Sequence, residues 1–363
     1  MDDSIITDPR PLEAFKEKSF SDFKKREVYS VLLKSIETRK IENACYWITE
    51  CIVSGYTQDI LEKLLIFSSK TIHINSPKLP IYLFRKYVLF LQSINHLNKK
   101  EKHKHIHLRN TDTIRNYLFD LVVILCLSPK DKRYDKYPKI DPDLDFQFTT
   151  IKNKMNATMQ VLPSSIIHYT DPEELRIILN ELFFNLKNEL GGYEKSSYWI
   201  SWVLHWEKKN KKDKKCFEIE ERKISNVNPK YCKDVIWILW EVILEETKLR
   251  NENIQNQIFS LYNLFKINYT NGKKNSRLPY LYHSIGYLTL PIKMNIPIIK
   301  DEEYHLLLQS CCNCNKMFKN KKEKEVKDYK PPPPKPKKNV GAEFEISKDK
   351  SDIFNVIDLN MKN

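Results

Sequence analysis

Apolar residues recur along most of this chain at the three- and four-residue spacing of an α-helix. In "SDFKKREVYSVLLKSIE" the apolar positions are Phe23, Val28, Val31, Leu32 and Ile36, which fall on one helical face. The same spacing predicts helices in "ENACYWITECIV", "TQDILEKLLIFSS" and "KLPIYLFRKYVLFLQSI", joined by short connections. The pattern therefore predicts an α-helical array in the first third of the chain.

Residues that start and stop helices support this interpretation. Ser21 is a predicted N-cap, and Gly55 suits the left-handed position that ends a helix. Ser76 and Pro77 are predicted to open the fourth helix. In "YTDPEELRIILNELFFNLKNEL", Asp171 is a predicted cap and the proline after it a first helical residue.

Three predicted helices carry an aromatic stripe. The stripes are Ala44, Trp47, Ile48 and Cys51; Trp199, Trp202, Val203 and Trp206; and Ile236, Leu239, Trp240 and Ile243. Burying one such side chain is worth about 1.5 to 3 kcal/mol, which explains the choice of residues without a ligand. We therefore predict that Trp47, Trp199 and Trp240 lie in the core. The alternative is an exposed aromatic platform that stacks on nucleobases.

The domain prediction follows from changes in pattern along the chain. We expect an all-α protein, an array of helical hairpins in one or two packed helical domains. "RLPYLYHSIGYLTLP" is ambiguous between strand and turn, and "EKKNKKDKKCFEIEERK" is predicted to contain a short strand or a projecting loop. The predicted segments are a flexible leader (1–20), an N-terminal helical, collar-like domain (21–128), an irregular linker (129–163), a C-terminal helical domain (164–329) and a disordered Pro/Lys-rich tail (330–363).

Positive charge is concentrated in four runs of a chain whose net charge is +14. The runs are residues 98–109, 129–139, 207–215 and 318–339. Such runs can follow a phosphate backbone, and the alternative is a set of solvated loops. We predict nucleic-acid binding without sequence preference, with phosphate contacts from Lys208, Lys209, Lys211, Lys212, Lys214 and Lys215.

Candidate catalytic and metal chemistry is sparse. No GxxxxGK[ST] or GxGxxG loop occurs, which argues against a Walker-type nucleotide site. Cys311, Cys312 and Cys314 follow His305, but a second ligand pair for zinc is missing unless His283 or Cys216 folds close. In "HKHIH" three histidines (His103, His105, His107) would share one side of a strand, but lysines surround them. We therefore predict no metal (Cys311 and Cys314 being the weak candidates), no cofactor and no catalytic residue.

Location is predicted from what the chain lacks. The acidic start "MDDSIITDPRP" has no apolar secretory segment, and no apolar run reaches membrane-spanning length. The eight cysteines include four within apolar helical patterns, where cysteine behaves as a small hydrophobe. We expect an intracellular protein with reduced thiols and no membrane segment.

The C-terminal tail combines a stiff spacer with a short apolar motif. "KPPPPKPKK" favours an extended polyproline conformation, and "DIFNVIDLNM" follows it. Ile353, Phe354, Ile357 and Leu359 are predicted to dock into a groove of a protein partner. The alternatives are a tail that folds back on its own domain and a tail without function.

Residues 41–83 resemble the helical collar region of the replication-associated recombination protein A family of clamp-loader-like ATPases. The matching positions are Glu42, Ala44, Tyr46, Trp47, Gly55, Ile60, Leu64, Phe67, Ser68 and Pro77. The ATPase module is absent, and Ser69-Lys70 stands where that family has an acidic pair. Because the collar of that family oligomerises, the resemblance implies a helical assembly module with self-association as one partner interaction.

Over a longer span, "YWITE", "SPKLPIYL", "SSYWISWVLHWE" and "DVIWILWEVI" resemble an uncharacterised protein family of giant nucleocytoplasmic DNA viruses, which implies host cytoplasm or virion as the location. The leading functional interpretation is a non-catalytic helical accessory or scaffold protein of viral or intracellular nucleic-acid machinery. The alternative is a virion structural or genome-packaging protein, and an enzyme of unfamiliar type comes third.

Overall fold

The computed structural model describes residues 4–95, 104–130, 137–188, 190–327 and 329. Every regular element within these residues is helical and none is a strand, which confirms the predicted all-α fold. None of these helices is long and apolar enough to cross a bilayer. The tail predicted from residue 330 lies outside the described residues.

The longer helices carry the packing, and α5 and α7 are short. Their bounds are α1 Lys25–Glu37, α2 Ile41–Val53, α3 Thr57–Phe67, α4 Leu79–Asn95, α5 Lys104–Asn110, α6 Asp112–Leu127, α7 Phe148–Lys154, α8 Glu174–Leu186, α9 Gly192–Lys212, α10 Ile236–Thr247, α11 Glu252–Lys266, α12 Lys274–Thr289, α13 Tyr304–Cys312 and α14 Cys314–Lys322.

Helices that follow one another pack as pairs, as in α1 with α2, α8 with α9 and α11 with α12. Helices far apart in sequence also pack: α4 lies against α11, α13 against α6 and α14 against α2. Helices of the predicted N-terminal segment (21–128) are therefore in contact with helices of the predicted C-terminal segment (164–329).

The tryptophan stripes form core, with one exception. Trp199 and Trp240 are each 1 % exposed, so the prediction for these two residues is confirmed. Trp47 is partly buried and packs against the core from its edge, so the prediction for this residue is confirmed only in part. The buried face of α2 includes Ala44 and Ile48, whereas Trp47 sits at its edge, with its ring centroid 5.1 Å from that of Phe23.

Residues 4–20, for which the sequence predicts a flexible leader, pack against the helices. Ile6, Phe15 and Phe20 are buried. Asn110 binds the backbone of Ile6 twice, since its side-chain oxygen accepts from the Ile6 N–H and its amide donates to the Ile6 carbonyl, both at 2.9 Å. The leader is packed rather than flexible because its apolar residues are buried against helices that are distant in sequence.

A buried carboxylate joins this leader to both ends of the helical array. Glu50 on α2 accepts hydrogen bonds from the backbone and hydroxyl of Ser21 (2.7 and 2.8 Å) and from the Ser19 hydroxyl, and it pairs with Lys321 on α14. Ser21 therefore does not cap α1 as predicted, since the residue preceding that helix is Lys24. Burial raises the pKa of Glu50, but Lys321 and the hydrogen bonds outweigh burial and leave the pKa lowered.

Three local predictions were wrong for reasons of tertiary packing. The ambiguous "RLPYLYHSIGYLTLP" is helical and belongs to α12, which is buried on nearly all sides and so shows no amphipathic period. The described residues of "HKHIH", 104–107, belong to α5 rather than to a strand. Asp171 does not cap α8, whose preceding residue is Glu173; its carboxylate instead pairs with the buried Arg222 at 2.6 Å.

A strained turn follows α3 and packs on α12. Residues Ser68–Ile72 form one π-helical turn, and His73 after it adopts a φ of +54°, a region that non-glycine residues rarely occupy. The ring of His73 stacks on that of His283, with centroids 4.4 Å apart. A Cβ at Gly286 would lie 2.5 Å from His73 Cε1, so the glycine on α12 permits this contact.

We expect Trp199→Ala and Trp240→Ala each to lower the free energy of unfolding by about 3 to 5 kcal/mol, because each leaves a large cavity in the core. Trp47→Ala should cost less, since part of that side chain is already in contact with water. Chemical denaturation followed by circular dichroism measures all three values. An equal loss at Trp47 would contradict the structure.

His283 predicts a pH dependence of stability. Burial lowers its pKa to about 3, whereas an unfolded histidine titrates near 6.5. The groups that face it are the His73 ring, the Ser69 hydroxyl and the Tyr287 ring. Because the unfolded state binds the proton first, stability falls as pH drops below about 6.5, by roughly 2 kcal/mol at pH 5.

Denaturant midpoints of the wild type and of His283→Gln across this pH range isolate the histidine's share. The variant should show a shallower decline, because its residue 283 does not titrate. Parallel curves for the two proteins would refute the assignment.

Candidate nucleic-acid interface

The six predicted phosphate-binding lysines lie at the end of α9. The earlier turns of this helix bury Trp199, Trp202 and Trp206, which fix its orientation in the core. Beyond Trp206 the helix leaves the core. The side chains of Lys208, Lys209, Lys211, Lys212, Lys214 and Lys215 are exposed, so the structure places all six on one helix end and the turn that follows it.

The helix ends in a defined turn. Lys214 adopts a φ of +56°, the left-handed position that glycine usually takes after a helix. The Lys215 N–H then donates back to the carbonyl of Asn210 at 2.8 Å. Lysines here also interact favourably with the negative end of the helix dipole. The backbone that carries the lysines is thus held in a defined turn.

Carboxylates do not neutralise these lysines. Within the described part of the chain, none of the six ammonium groups lies within 4.0 Å of a carboxylate oxygen. Lys209 Nζ lies 4.8 Å from the ring centroid of Phe146, and Lys211 Nζ lies 5.6 Å from that of Phe217. The run at 207–215 contains two acids, Glu207 and Asp213. The arrangement is a dense, exposed cationic surface with two aromatic rings beside it.

A buried ionic cluster lies at the point where α9 leaves the core. Lys274 on α12 lies 2.6 Å from both carboxylate oxygens of Glu207 and 2.8 Å from Asp234. Burial raises the pKa of Glu207, and the Lys274 ammonium offsets only part of that increase. Tyr269 donates to the other oxygen of Asp234 at 3.2 Å. The cluster ties the end of α9 to the beginning of α12.

The described residues of the other basic runs include cations with structural roles. Arg109 is buried and donates to the Asp8 carbonyl at 2.6 Å. Lys130 donates to the Ser128 carbonyl at 2.7 Å beyond the end of α6, and burial lowers its pKa to about 8. Lys321 belongs to the buried pair with Glu50. These runs also contain exposed lysines, such as Lys139, Lys324 and Lys327. The run at 207–215 differs because all six of its lysines are exposed.

The cysteine candidates do not form a metal centre with their neighbours. Cys311 donates to an oxygen of Asp120 at 2.8 Å, and burial raises its pKa to about 12. Cys314 is buried, while His305 and Cys216 are exposed. No group of three His, Cys, Asp or Glu residues among those described could hold an ion.

Two further sets of candidates are the histidines of "HKHIH" and the docking residues of the tail. His105 is buried on α5 and His107 is exposed on it, so they do not share a face, and His103 lies outside the described residues. The docking residues Ile353, Phe354, Ile357 and Leu359 also lie outside them, and their role stays a prediction.

Sequence reasoning missed the stacked pair of His73 and His283. Neither the π-helical turn nor the contact with Gly286 leaves a local pattern, because the two segments are distant in sequence. The short spacing of Ser68, Ser69 and Thr71 before a histidine is the only signal that an irregular turn was close.

Comparisons with known proteins do not assign a family or a function to this chain. The collar resemblance of residues 41–83 and the viral resemblance stay predictions. No family model, no curated protein and no solved structure matches this chain.

Proposed function

We propose that this protein is a non-catalytic helical accessory or scaffold protein that binds nucleic acid through the end of α9. The observation that carries this proposal is the set of six exposed lysines without a carboxylate partner, held on a helix that is anchored by buried tryptophans. Neutralising phosphates with such groups releases condensed counterions, which is the main source of non-specific affinity.

The chemistry of the six lysines favours contact with the nucleic-acid backbone over recognition of bases. Lysine is a flexible point charge, whereas readout of base edges depends on bidentate groups such as those of Arg, Asn and Gln. The patch contains no arginine and a single asparagine, Asn210, whose amide donates to the Cys216 carbonyl at 3.1 Å. Binding should therefore be insensitive to sequence.

The scaffold part of the proposal rests on the helical pairs and on the collar resemblance of residues 41–83. A helical array of this kind offers many exposed faces to partners, and the tail motif at residues 353–359 would add a tethered docking site. We propose the host cytoplasm or a virion as the place of action. Many copies in purified particles would favour the alternative role in genome packaging.

The test measures binding of a fluorescent DNA duplex by anisotropy across a series of salt concentrations. Replacing all six lysines with glutamine should weaken binding and make the slope of log affinity against log salt shallower by about 0.9 for each lysine that contacts a phosphate. Shuffled duplex sequences should bind the wild type equally well.

The matched control removes the same charge elsewhere. Its six substitutions to glutamine are at the exposed residues Lys16, Lys24, Lys40, Lys293, Lys300 and Lys316. This variant should retain a slope closer to that of the wild type. If the two variants behave alike, net charge alone drives binding. That result, or no binding at low salt, would overturn the proposed interface.

A further inference from the structure

An exposed phenylalanine lies close to the lysines of α9. Phe148 is 74 % exposed and is the first residue of α7. Phe146 is partly buried, and its ring centroid lies 4.8 Å from Lys209 Nζ. The Cα atoms of residues 146 and 148 are at most about 7.6 Å apart, because consecutive Cα atoms are separated by about 3.8 Å. The exposed ring is therefore a neighbour of the Lys209 ammonium.

The segment that carries this ring is fastened to α9. Trp202 Nε1 donates to the Asp145 carbonyl at 2.9 Å, and the Tyr198 hydroxyl donates to the Asp145 carboxylate at 2.7 Å. The rings of Phe146 and Trp202 pack edge to face, with centroids 4.9 Å apart. Residues 145 and 146 thus have a fixed position on α9, and Phe148 follows two residues later with most of its side chain in water.

A lysine lies one turn beyond the ring on the same face of α7. Phe148 and Lys152 are four residues apart in this helix, which places their Cβ atoms about 5 to 6 Å apart. Lys152 is exposed, and none of the carboxylates that the structure describes pairs with it. Lys154 differs, since it pairs with Asp145 at 2.9 Å and lies 3.8 Å from the ring centroid of Tyr198. Lys152 is therefore the cation of α7 that a ligand can reach.

The charges around Phe148 decide where a phosphate can lie. Lys152 on α7 and Lys209 on α9 are both exposed and lack a carboxylate partner among the described residues. Asp141 and Asp143 precede the ring and are exposed as well, so they repel a phosphate on their side. A phosphate is therefore favoured beside the two lysines and disfavoured beside residues 141–143.

An exposed aromatic ring beside cations is the combination by which proteins hold single strands. Cationic side chains follow the backbone, and the ring stacks on a base of any identity because every base has a π-face. A duplex offers its phosphates, but its bases are already stacked on one another. The ring of Phe148 should therefore add affinity for a strand with unpaired bases and add none for a duplex.

We propose that this surface binds single-stranded nucleic acid, with one base stacked on Phe148 and phosphates at Lys152 and Lys209. The inference rests on the proposed function, since Lys209 belongs to both, and it specifies the form of nucleic acid that the site takes. DNA and RNA strands share this chemistry, because neither the ring nor the lysines recognise the sugar.

The experiment measures binding of a fluorescent oligothymidylate to the full-length protein by anisotropy, beside the duplex. Phe148→Ala should weaken strand binding about fivefold or more, the effect of losing one base–ring stack, and should leave duplex affinity unchanged. Lys152→Gln should make the salt slope for the strand shallower by about 0.7, the value for one phosphate contact on a single strand. Circular dichroism checks that each variant is folded.

The matched control removes an exposed ring elsewhere. Tyr304 is 53 % exposed on α13, a helix that packs on α6, and Tyr304→Ala should leave strand affinity unchanged. Phe148→Trp should retain strand binding, whereas Phe148→Leu should behave like Phe148→Ala, because leucine is apolar but has no ring.

Two further probes separate the base from the sugar. An abasic strand should bind the wild type and Phe148→Ala equally, because it has no base to stack. A similar loss with oligouridylate in Phe148→Ala extends the site to RNA, and a loss confined to oligothymidylate identifies DNA as the source.

Three results would overturn the inference. They are unchanged strand affinity in Phe148→Ala, an equal loss for strand and duplex in that variant, and full strand binding by Phe148→Leu. Each of them can occur while the variant of the six α9 lysines loses duplex binding as expected, so the proposed function would stand. Duplex binding that does not depend on those six lysines would instead overturn the proposed function.

Discussion

The packing of both ends of the described chain depends on one buried carboxylate, that of Glu50. It is fully buried on α2, and charge in that position is costly unless every oxygen is satisfied. Lys321 from α14, Ser19 of the leader and Ser21 just after it provide that satisfaction. The Lys321 ammonium also lies 3.8 Å from the ring centroid of Tyr46. This electrostatic site therefore connects the leader, α2 and α14.

The same constraint accounts for the distribution of charge elsewhere. Arg222 is buried with Asp171, and Lys274 is mostly buried between Glu207 and Asp234. Each of these cations has a carboxylate because it lies inside. The lysines at the end of α9 lie in water and have none, so their positive potential is available to a ligand. The functional proposal rests on this contrast between paired and unpaired cations.

The sequence predicted the elements whose signal is local. The apolar stripes of α1 to α4 and the left-handed Gly55 are readable because neighbouring residues decide them. α12 was not readable, because burial on nearly all sides removes the period. Asp171 fits a cap by its neighbours, yet Arg222, far along the chain, takes its carboxylate.

The candidate site also combines features that the local sequence shows with features that depend on distant contacts. The run of lysines after Trp206 is visible as composition, but its exposure is not, since Arg109 and Lys321 belong to runs of similar appearance and are buried. The stacked rings of His73 and His283 beside the π-helical turn likewise come from segments that meet only in the folded chain. Packing against distant residues, rather than local pattern, decides which basic residues reach solvent.

A double-mutant cycle on Glu50 and Lys321 tests the central claim most directly. The free energy of unfolding is measured for the wild type, Glu50→Gln, Lys321→Met and the double variant. We predict that Lys321→Met alone costs about 3 to 5 kcal/mol, because it leaves a buried carboxylate without its partner. We also predict that the double variant loses clearly less than the two single losses together. Additive losses, or a loss below about 1 kcal/mol for Lys321→Met, the range of an exposed pair, would contradict the account.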